Sequence, residues 1–344
     1  MPLFYRPPRP GDAALAALLP SSEDGQMGPR RANSTVRHYN HLNDRSHPGR
    51  CMKASRSEFL TVRGLRMHVR HWGDEGAPKL FMLHGWMDVS ASFQFMVDCL
   101  QGQWHVIAPD WRGFGQSERS GADTYWFPDY VADLEVLLDH YAPGAAVNLL
   151  GHSMGGNIAG IYAGVRPERI ARLINLEGFG LPTTHPQQYP GRVAKWLDEL
   201  RAPPEMRGYA NLEEVAARLR KTNPRLALER AAFLAAHWAE QERDGQWKIL
   251  GDPAHKMSSP LLFHVDEIMA CWSAITAPVL WIEAEQTDMW RWMGARDQAR
   301  AEVDRRMTYL KNVTPRMVPQ AGHMLHHDQP ELLAGMVEQF LTPA

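Results

Sequence analysis

One serine, set between glycines at the end of an apolar run, constrains this chain more than any other feature. The run Val147-Asn148-Leu149-Leu150 leads into Gly151-His152-Ser153-Met154-Gly155-Gly156, and residues 158–163 continue as a helical pattern. A strand that becomes a helix within so few residues must pass close to its own backbone on both sides of the bend. Glycine at 151 and 155 removes the side chains that would block this approach. The serine at the bend must tolerate strained backbone angles. The pattern fits G-x-S-x-G, in which a serine hydroxyl stands exposed beside a helix N-terminus, where developing negative charge is stabilised. The strand before it and the helix after it separate it from an ordinary loop serine.

The rest of the chain supplies the sheet that such a bend needs. Residues 59–62 and 67–70 read as two strands joined in a hairpin at Arg63-Gly64. Short apolar runs follow at 79–83, 105–108, 147–150, 173–176 and 278–282, with a weaker one at 315–318. Continuous runs of this kind suit strands covered on both faces. Helical patterns at 130–138, 158–163, 297–310 and 331–340 alternate with them. The expected fold class is therefore α/β: a mainly parallel sheet flanked by helices, with ligands at the carboxyl ends of the strands. Residues 181–272 break the alternation with helical patterns at 212–219, 226–238 and 265–272 and no convincing strand pair. They read as an inserted helical cap between core segments 57–180 and 273–344. Its aromatic and methionine side chains, Trp196, Trp238, Trp247, Phe263, Trp272, Met206, Met257 and Met269, chiefly pack the cap on the core, and some could line an apolar pocket.

Three strand ends carry chemistry. Ser153 is the candidate nucleophile. His84-Gly85-Trp86 follows the strand 79–83, where a backbone N–H can join an oxyanion hole; the expected donors are the amides of Trp86 and Met154. Gly322-His323 follows the last strand and makes His323 the candidate general base, with His326 and His327 as neighbours that structure the turn or face solvent. The acid must reach the far nitrogen of that base. Asp288, in the loop after the strand 278–282, is the leading candidate. Glu177, at the end of the strand 173–176, is the alternative, with Glu283 and Glu285 behind it. Residues 110–117 (DWRGFGQS) lack the Lys-Ser/Thr ending of a phosphate loop and read as a glycine turn.

These motifs, with the segment from Gly322 to Glu331, resemble the α/β-hydrolase superfamily from about residue 58 to 340, and especially its capped bacterial hydrolases and serine hydrolase-like branch. The resemblance implies an eight-stranded core, a helical cap, a Ser-His-acid triad and no cofactor or metal. The chain departs from the pattern in one loop: Ala284 stands where glycine is common, and Thr287 where the acid often lies. A serine at 153 separates it from dehalogenases and epoxide hydrolases, which use aspartate there. The function so implied is hydrolysis of a carboxylic ester of a small, apolar substrate through an acyl-enzyme on Ser153. Acyl transfer or C–C bond hydrolysis on the same triad, and a non-catalytic ligand-binding protein of this fold, are the alternatives.

Composition excludes other classes. Of 344 residues, 44% are hydrophobic and 22% charged, and the formal net charge of −2 favours neither nucleic acid nor an anionic membrane. Cys51, Cys99 and Cys271 are too few and scattered for a disulfide framework or a zinc site. No apolar run approaches the roughly 18 residues of a membrane span, and the N-terminal order suits no secretory signal. A cytoplasmic protein with a small-molecule substrate is expected; the oligomeric state is left open. Residues 1–56, rich in Pro, Arg, Ser and Asn, read as a disordered extension, or as sequence upstream of a true start at Met52.

Overall fold

The computed structural model describes residues 52–342. The expectation of a disordered extension falls, for residues 1–51, outside the described residues. Its last residues do not fit it, because the first strand begins at Ser55.

Eight strands form one sheet: β1 Ser55–Val62, β2 Leu65–Trp72, β3 Lys79–Leu83, β4 His105–Pro109, β5 Val147–His152, β6 Ile170–Leu176, β7 Val279–Ala284 and β8 Val313–Val318. Their order is β1-β2-β4-β3-β5-β6-β7-β8. The β1–β2 hairpin turns at Arg63 and Gly64, with φ of 48° and 84°, the signs of a type I′ turn. β2 pairs antiparallel with β4, and all later pairs are parallel. From β3 the chain first moves outward to β4 and then returns to β5 on the other side of β3. The carboxyl ends of β3 and β5 therefore flank a switch point, the place where open α/β sheets bind ligands.

The apolar runs are continuous because both faces are covered. Phe81, Leu83 and Leu149 join one buried cluster with Leu134, Ile158, Tyr162 and Val303. Leu80, Met82 and Leu150 point the other way and join Met96, Val97, Leu333 and Val337. The first cluster is closed by helices Phe127–Tyr141, Met154–Val165 and Arg296–Met307, the second by Gln94–Cys99 and Pro330–Leu341.

Between β6 and β7 lie helices Tyr189–Arg201, Leu212–Thr222, Leu228–Trp238 and Val265–Ala274. The insertion is not purely helical. Gly208–Tyr209, Trp247–Ile249 and Ala239–Gln241 form a small antiparallel sheet in that order. Strands of two or three residues are too short to show an alternating pattern in sequence. The insertion has an apolar core of its own, built on Tyr209, Val215, Leu219, Leu226 and Leu234. Helix Val265–Ala274 instead buries Met269 and Trp272 in the first cluster of the main sheet.

The 110–117 loop docks the insertion. Gly115 N–H donates to Leu250 O (2.8 Å), and Asp252 N–H donates to Gly113 O (2.7 Å). His255 stacks between Phe114 and Tyr125, with ring centroids 3.7 Å from each. Asp110 holds the loop itself, accepting from Ser90 N (2.7 Å), Gln116 N (3.0 Å) and His68 Nδ1 (2.8 Å). Burial alone would raise its pKa, but these donors and the His68 charge hold it well below the usual carboxylate range. Among the described residues, no helix is long and apolar enough to cross a membrane.

Candidate active site

The bend after β5 takes the form that its glycines require. Ser153 has φ 52° and ψ −114°, a conformation that costs of order 1–3 kcal/mol in a residue with a side chain. It is held there by Ser153 N–H donating to Leu176 O (2.8 Å) and Asn157 N–H donating to Ser153 O (3.0 Å). A Cβ on Gly155 would stand 2.2 Å from Leu83 O, and one on Gly151 would stand 2.3 Å from Gly155 O. No side chain fits in either gap.

Ser153 Oγ lies 3.0 Å from His323 Nε2, and His323 Nδ1 lies 3.1 Å from Glu177 Oε2. A carboxylate only accepts, so Nδ1 carries the proton and Nε2 presents its lone pair to the serine hydroxyl. Sheet register explains the meeting. His152 pairs with Leu176, and Leu176 pairs with Ile282, so Ser153 and Glu177 are the next residues beyond adjoining strand ends. Glu177 is fully buried and takes φ 57°. Its Oε1 accepts from Ala284 N (2.7 Å), and its Oε2 accepts from Thr287 Oγ1 (2.5 Å) as well as from His323.

The leading expectation for the acid is therefore corrected. Asp288 does not meet His323; its Oδ2 pairs with Arg291 Nη1 at 3.0 Å in a partly exposed i,i+3 contact. Glu283 accepts from Trp281 Nε1 (2.7 Å) and pairs with Arg300, and Glu285 accepts from Gln320 N (2.8 Å). The loop after β7 gives Glu177 a hydroxyl donor, Thr287, and brings no acid to His323. Sequence reading missed this donor, although Thr287 stands where the resemblance often places the acid.

Of the two expected oxyanion donors, Met154 is the residue after the serine and Trp86 lies in the loop after β3. Met154 opens the helix Met154–Val165, so its N–H has no intrahelical acceptor. The loop from β3 passes directly over the bend: a Cβ on Gly85 would stand 3.3 Å from Ser153 Cβ. His84, fully buried, anchors this loop. Its Nε2 accepts from Trp111 N (2.9 Å), so its Nδ1–H donates to Gly85 O (2.7 Å). In a trans peptide the carbonyl and the next N–H point in opposite directions. Fixing Gly85 O therefore fixes the direction of the Trp86 N–H. Burial pushes the His84 pKa down to about 4, so the ring stays neutral and keeps this tautomer.

His326 and His327 do not face solvent; both are buried in the short helix Leu325–Asp328. His327 Nε2 bonds Ser92 Oγ (2.8 Å). Trp292 meets the His323 ring edge-on at 5.0 Å, and Trp86, next to Gly85, is 54% exposed. The His323 side chain keeps 21% of its surface accessible, which leaves it within reach of a substrate.

Comparison with known proteins agrees with this architecture. A family model described as the alpha/beta hydrolase fold matches residues 78–330. A serine hydrolase-like protein of Danio rerio is 25% identical over 303 residues, 85% of this chain and 90% of that protein. A 3-hydroxybutyrate-oligomer hydrolase of Cupriavidus necator is 28% identical over 294 residues, 81% of this chain and 94% of that protein. Among solved structures, a hypothetical protein from Pseudomonas aeruginosa matches with a TM-score of 0.72 at 24% identity, covering 83% of this chain and 99% of that one. The strand order, the bend after β5 and a family model that spans the sheet from β3 onward lead to one assignment: the chain belongs to the α/β-hydrolase family.

Proposed function

We propose that this chain is a serine hydrolase that cleaves a carboxylic ester, or a related acyl compound, of a small apolar substrate through an acyl-enzyme on Ser153. The observation that carries the reading is the relay of two short contacts, Ser153 Oγ to His323 Nε2 at 3.0 Å and His323 Nδ1 to Glu177 at 3.1 Å, on a backbone strained at the serine. The serine hydroxyl passes its proton to His323 as its oxygen attacks the substrate carbonyl. The oxyanion is held by the Met154 and Trp86 amides. Glu177 keeps His323 in the productive tautomer and stabilises the imidazolium that forms. His323 then gives its proton to the leaving alkoxide, and the acyl group remains on Ser153. In the second half, His323 takes a proton from water, hydroxide adds to the acyl carbon, and Ser153 leaves with its proton restored.

Trp292 against His323 and the exposed Trp86 next to Gly85 supply aromatic surface near the relay, which supports an apolar acyl or alcohol group. The Cupriavidus necator relative is named for hydrolysing 3-hydroxybutyrate oligomers, and that name is consistent with an acyl substrate. The test is direct. Wild type is expected to turn over p-nitrophenyl esters and to be labelled by a fluorophosphonate at Ser153. Ser153→Ala is expected to lose both while keeping its melting temperature within a few degrees. Undiminished ester turnover by Ser153→Ala would overturn the assignment.

A further inference from the structure

Beside the nucleophile, three buried side chains from three separate segments, the loop after β3, the end of β5 and the helix Leu325–Asp328, turn unpartnered polar atoms toward one point. They are Asp88, His152 and His326, each fully buried or nearly so. Their ligand-capable atoms all lie within 4.8 Å of one another. His152 Nδ1, Asp88 Oδ2 and both ring nitrogens of His326 have no hydrogen-bond partner among the described residues. The nearest approach between the acid and His326, Asp88 Oδ2 to His326 Nε2, is 3.9 Å, too long for a hydrogen bond.

The surroundings prepare these atoms as ligands. His152 Nε2 lies 2.8 Å from His323 O, a group that only accepts. Nε2 therefore carries the proton, and Nδ1 turns a free lone pair into the cluster. An imidazole whose second nitrogen donates to a backbone carbonyl is the usual arrangement of a metal-bound histidine. Asp88 Oδ1 accepts from Ser92 Oγ (2.6 Å) and Val89 N (2.9 Å), which fixes the carboxylate and leaves Oδ2 to face the histidines. Two imidazoles and one carboxylate oxygen form a donor set suited to borderline divalent transition ions, Zn²⁺ foremost. A tetrahedral zinc with bonds of roughly 2.0–2.2 Å needs its ligand atoms roughly 3.3–3.6 Å apart. The separations here, 3.9 Å between Asp88 Oδ2 and His326 Nε2 and none above 4.8 Å, exceed this, so loading an ion draws the three side chains inward.

We propose that Asp88, His152 and His326 form a binding site for one divalent transition ion of the Zn²⁺ class. The ion acts as a clasp. Asp88 lies two residues beyond Trp86, His152 adjoins Ser153, and His326 lies three residues beyond His323. One ion at this point ties together the three segments next to the serine, the base and the oxyanion donor.

The experiment uses the full chain, free of any affinity tag, stripped with a chelator and dialysed against micromolar Zn²⁺ or Co²⁺. The expected result is one ion per chain, a raised melting temperature and the visible bands of a four- or five-coordinate Co²⁺. Asp88→Asn and His326→Gln, checked for folding by circular dichroism, are each expected to weaken uptake by more than the 10–100-fold typical of losing an outer partner. Ser153→Ala and His323→Gln are expected to bind as wild type does. X-ray absorption on the wild-type zinc protein needs no variant, and two imidazoles plus oxygen are expected there. Any of three results would overturn the site: no uptake, so that the cluster holds water only; uptake lost in His323→Gln but kept in Asp88→Asn; or a zinc spectrum with fewer than two imidazoles.

Discussion

Replacing Glu177 by glutamine is the sharpest perturbation available, because it removes one charge and almost no volume. The wild-type carboxylate receives three donors: Ala284 N at 2.7 Å, Thr287 Oγ1 at 2.5 Å and His323 Nδ1 at 3.1 Å. In the proposed mechanism His323 takes the serine proton, and a positive charge forms beside that carboxylate. At 3.1 Å and an effective dielectric of roughly 20, the attraction is worth about 5 kcal/mol. Each 1.4 kcal/mol is tenfold in rate, so its loss costs between three and four decades in kcat, or roughly 10³–10⁴-fold. Glutamine adds a tautomer penalty. If its NH₂ faces His323, the ring must accept there and loses the lone pair that serves Ser153. If the NH₂ faces Ala284 N–H, two donors meet in a buried site, at about 1–3 kcal/mol. KM is expected to change little, because the Glu177 side chain is wholly inaccessible. The assay is steady-state hydrolysis of a p-nitrophenyl ester by Glu177→Gln and Asp288→Asn in parallel. Asp288 contributes only a partly exposed pair with Arg291, so its variant is expected to stay within a few-fold of wild type. A Glu177→Gln enzyme with more than a tenth of wild-type kcat, beside a crippled Asp288→Asn, would refute the reasoning.

Two further outcomes follow from burial. His84, His71 and His255 are held neutral in the fold, chiefly by desolvation, with pKa values of about 4, 3 and 3 against an ordinary 6.5. A depressed folded pKa means that the unfolded chain binds more protons between these values, so stability is full above pH 6.5 and falls as pH drops toward 4. His84 alone accounts for about 3 kcal/mol of that fall. Asp88, pushed up to about 7 by burial, acts in the opposite sense, and one carboxyl does not offset three imidazoles. Urea midpoints measured from pH 8 to 4 should decline steadily below 6.5; a flat profile would show that these rings are hydrated. Gly155→Ala must push a methyl into Leu83 O at 2.2 Å, so a loss of about 1–3 kcal/mol in stability and most of the activity is expected. Thermal unfolding and ester turnover read the two losses separately.

The readability of the site in sequence follows from how local each requirement is. The bend at Ser153 is legible because it depends on backbone clearance, and only glycine at 151 and 155 provides it. His323 is legible as the histidine that follows a small pair at a strand end. The acid has only to reach a nitrogen, and reach leaves no local mark. Glu283 near the end of β7, with Glu285 and Asp288 in the loop after it, outnumber the single Glu177 at the end of β6. Yet each of the three already answers to a nearby group, namely Arg300, Gln320 N and Arg291. The Asp288-x-x-Arg291 spacing is visible in the sequence itself. The sheet is legible for a different reason: covering on both faces leaves unbroken apolar runs. The small sheet in the insertion is not, because its strands hold only two or three residues each.

The ends of β6 and β7 adjoin, so the loop after β7 offers a second place from which an acid could reach His323, and this can be tested by moving it. Thr287 Oγ1 stands 2.5 Å from Glu177 Oε2, the atom that meets His323. An aspartate side chain in place of Thr287 extends one bond beyond the threonine oxygen, which brings a carboxylate toward the same Nδ1 proton. In the Glu177→Gln background, Thr287→Asp is therefore expected to restore kcat by about 10–100-fold. Full recovery is not expected, since an error of 1 Å in placement costs about 10²-fold. The amide introduced at position 177 can donate to the carboxylate introduced at position 287 and leave the ring tautomer intact. Introduced alone, Thr287→Asp sets two carboxylates in one buried site, where like charges raise one pKa. That single variant should lose activity and regain part of it as pH falls and one of the two acids is protonated. Comparing kcat across the four combinations gives the coupling between positions 177 and 287. A folded double variant no faster than Glu177→Gln would show that the β7 loop cannot carry the acid in this chain, and that the glutamate is tied to its strand by more than reach.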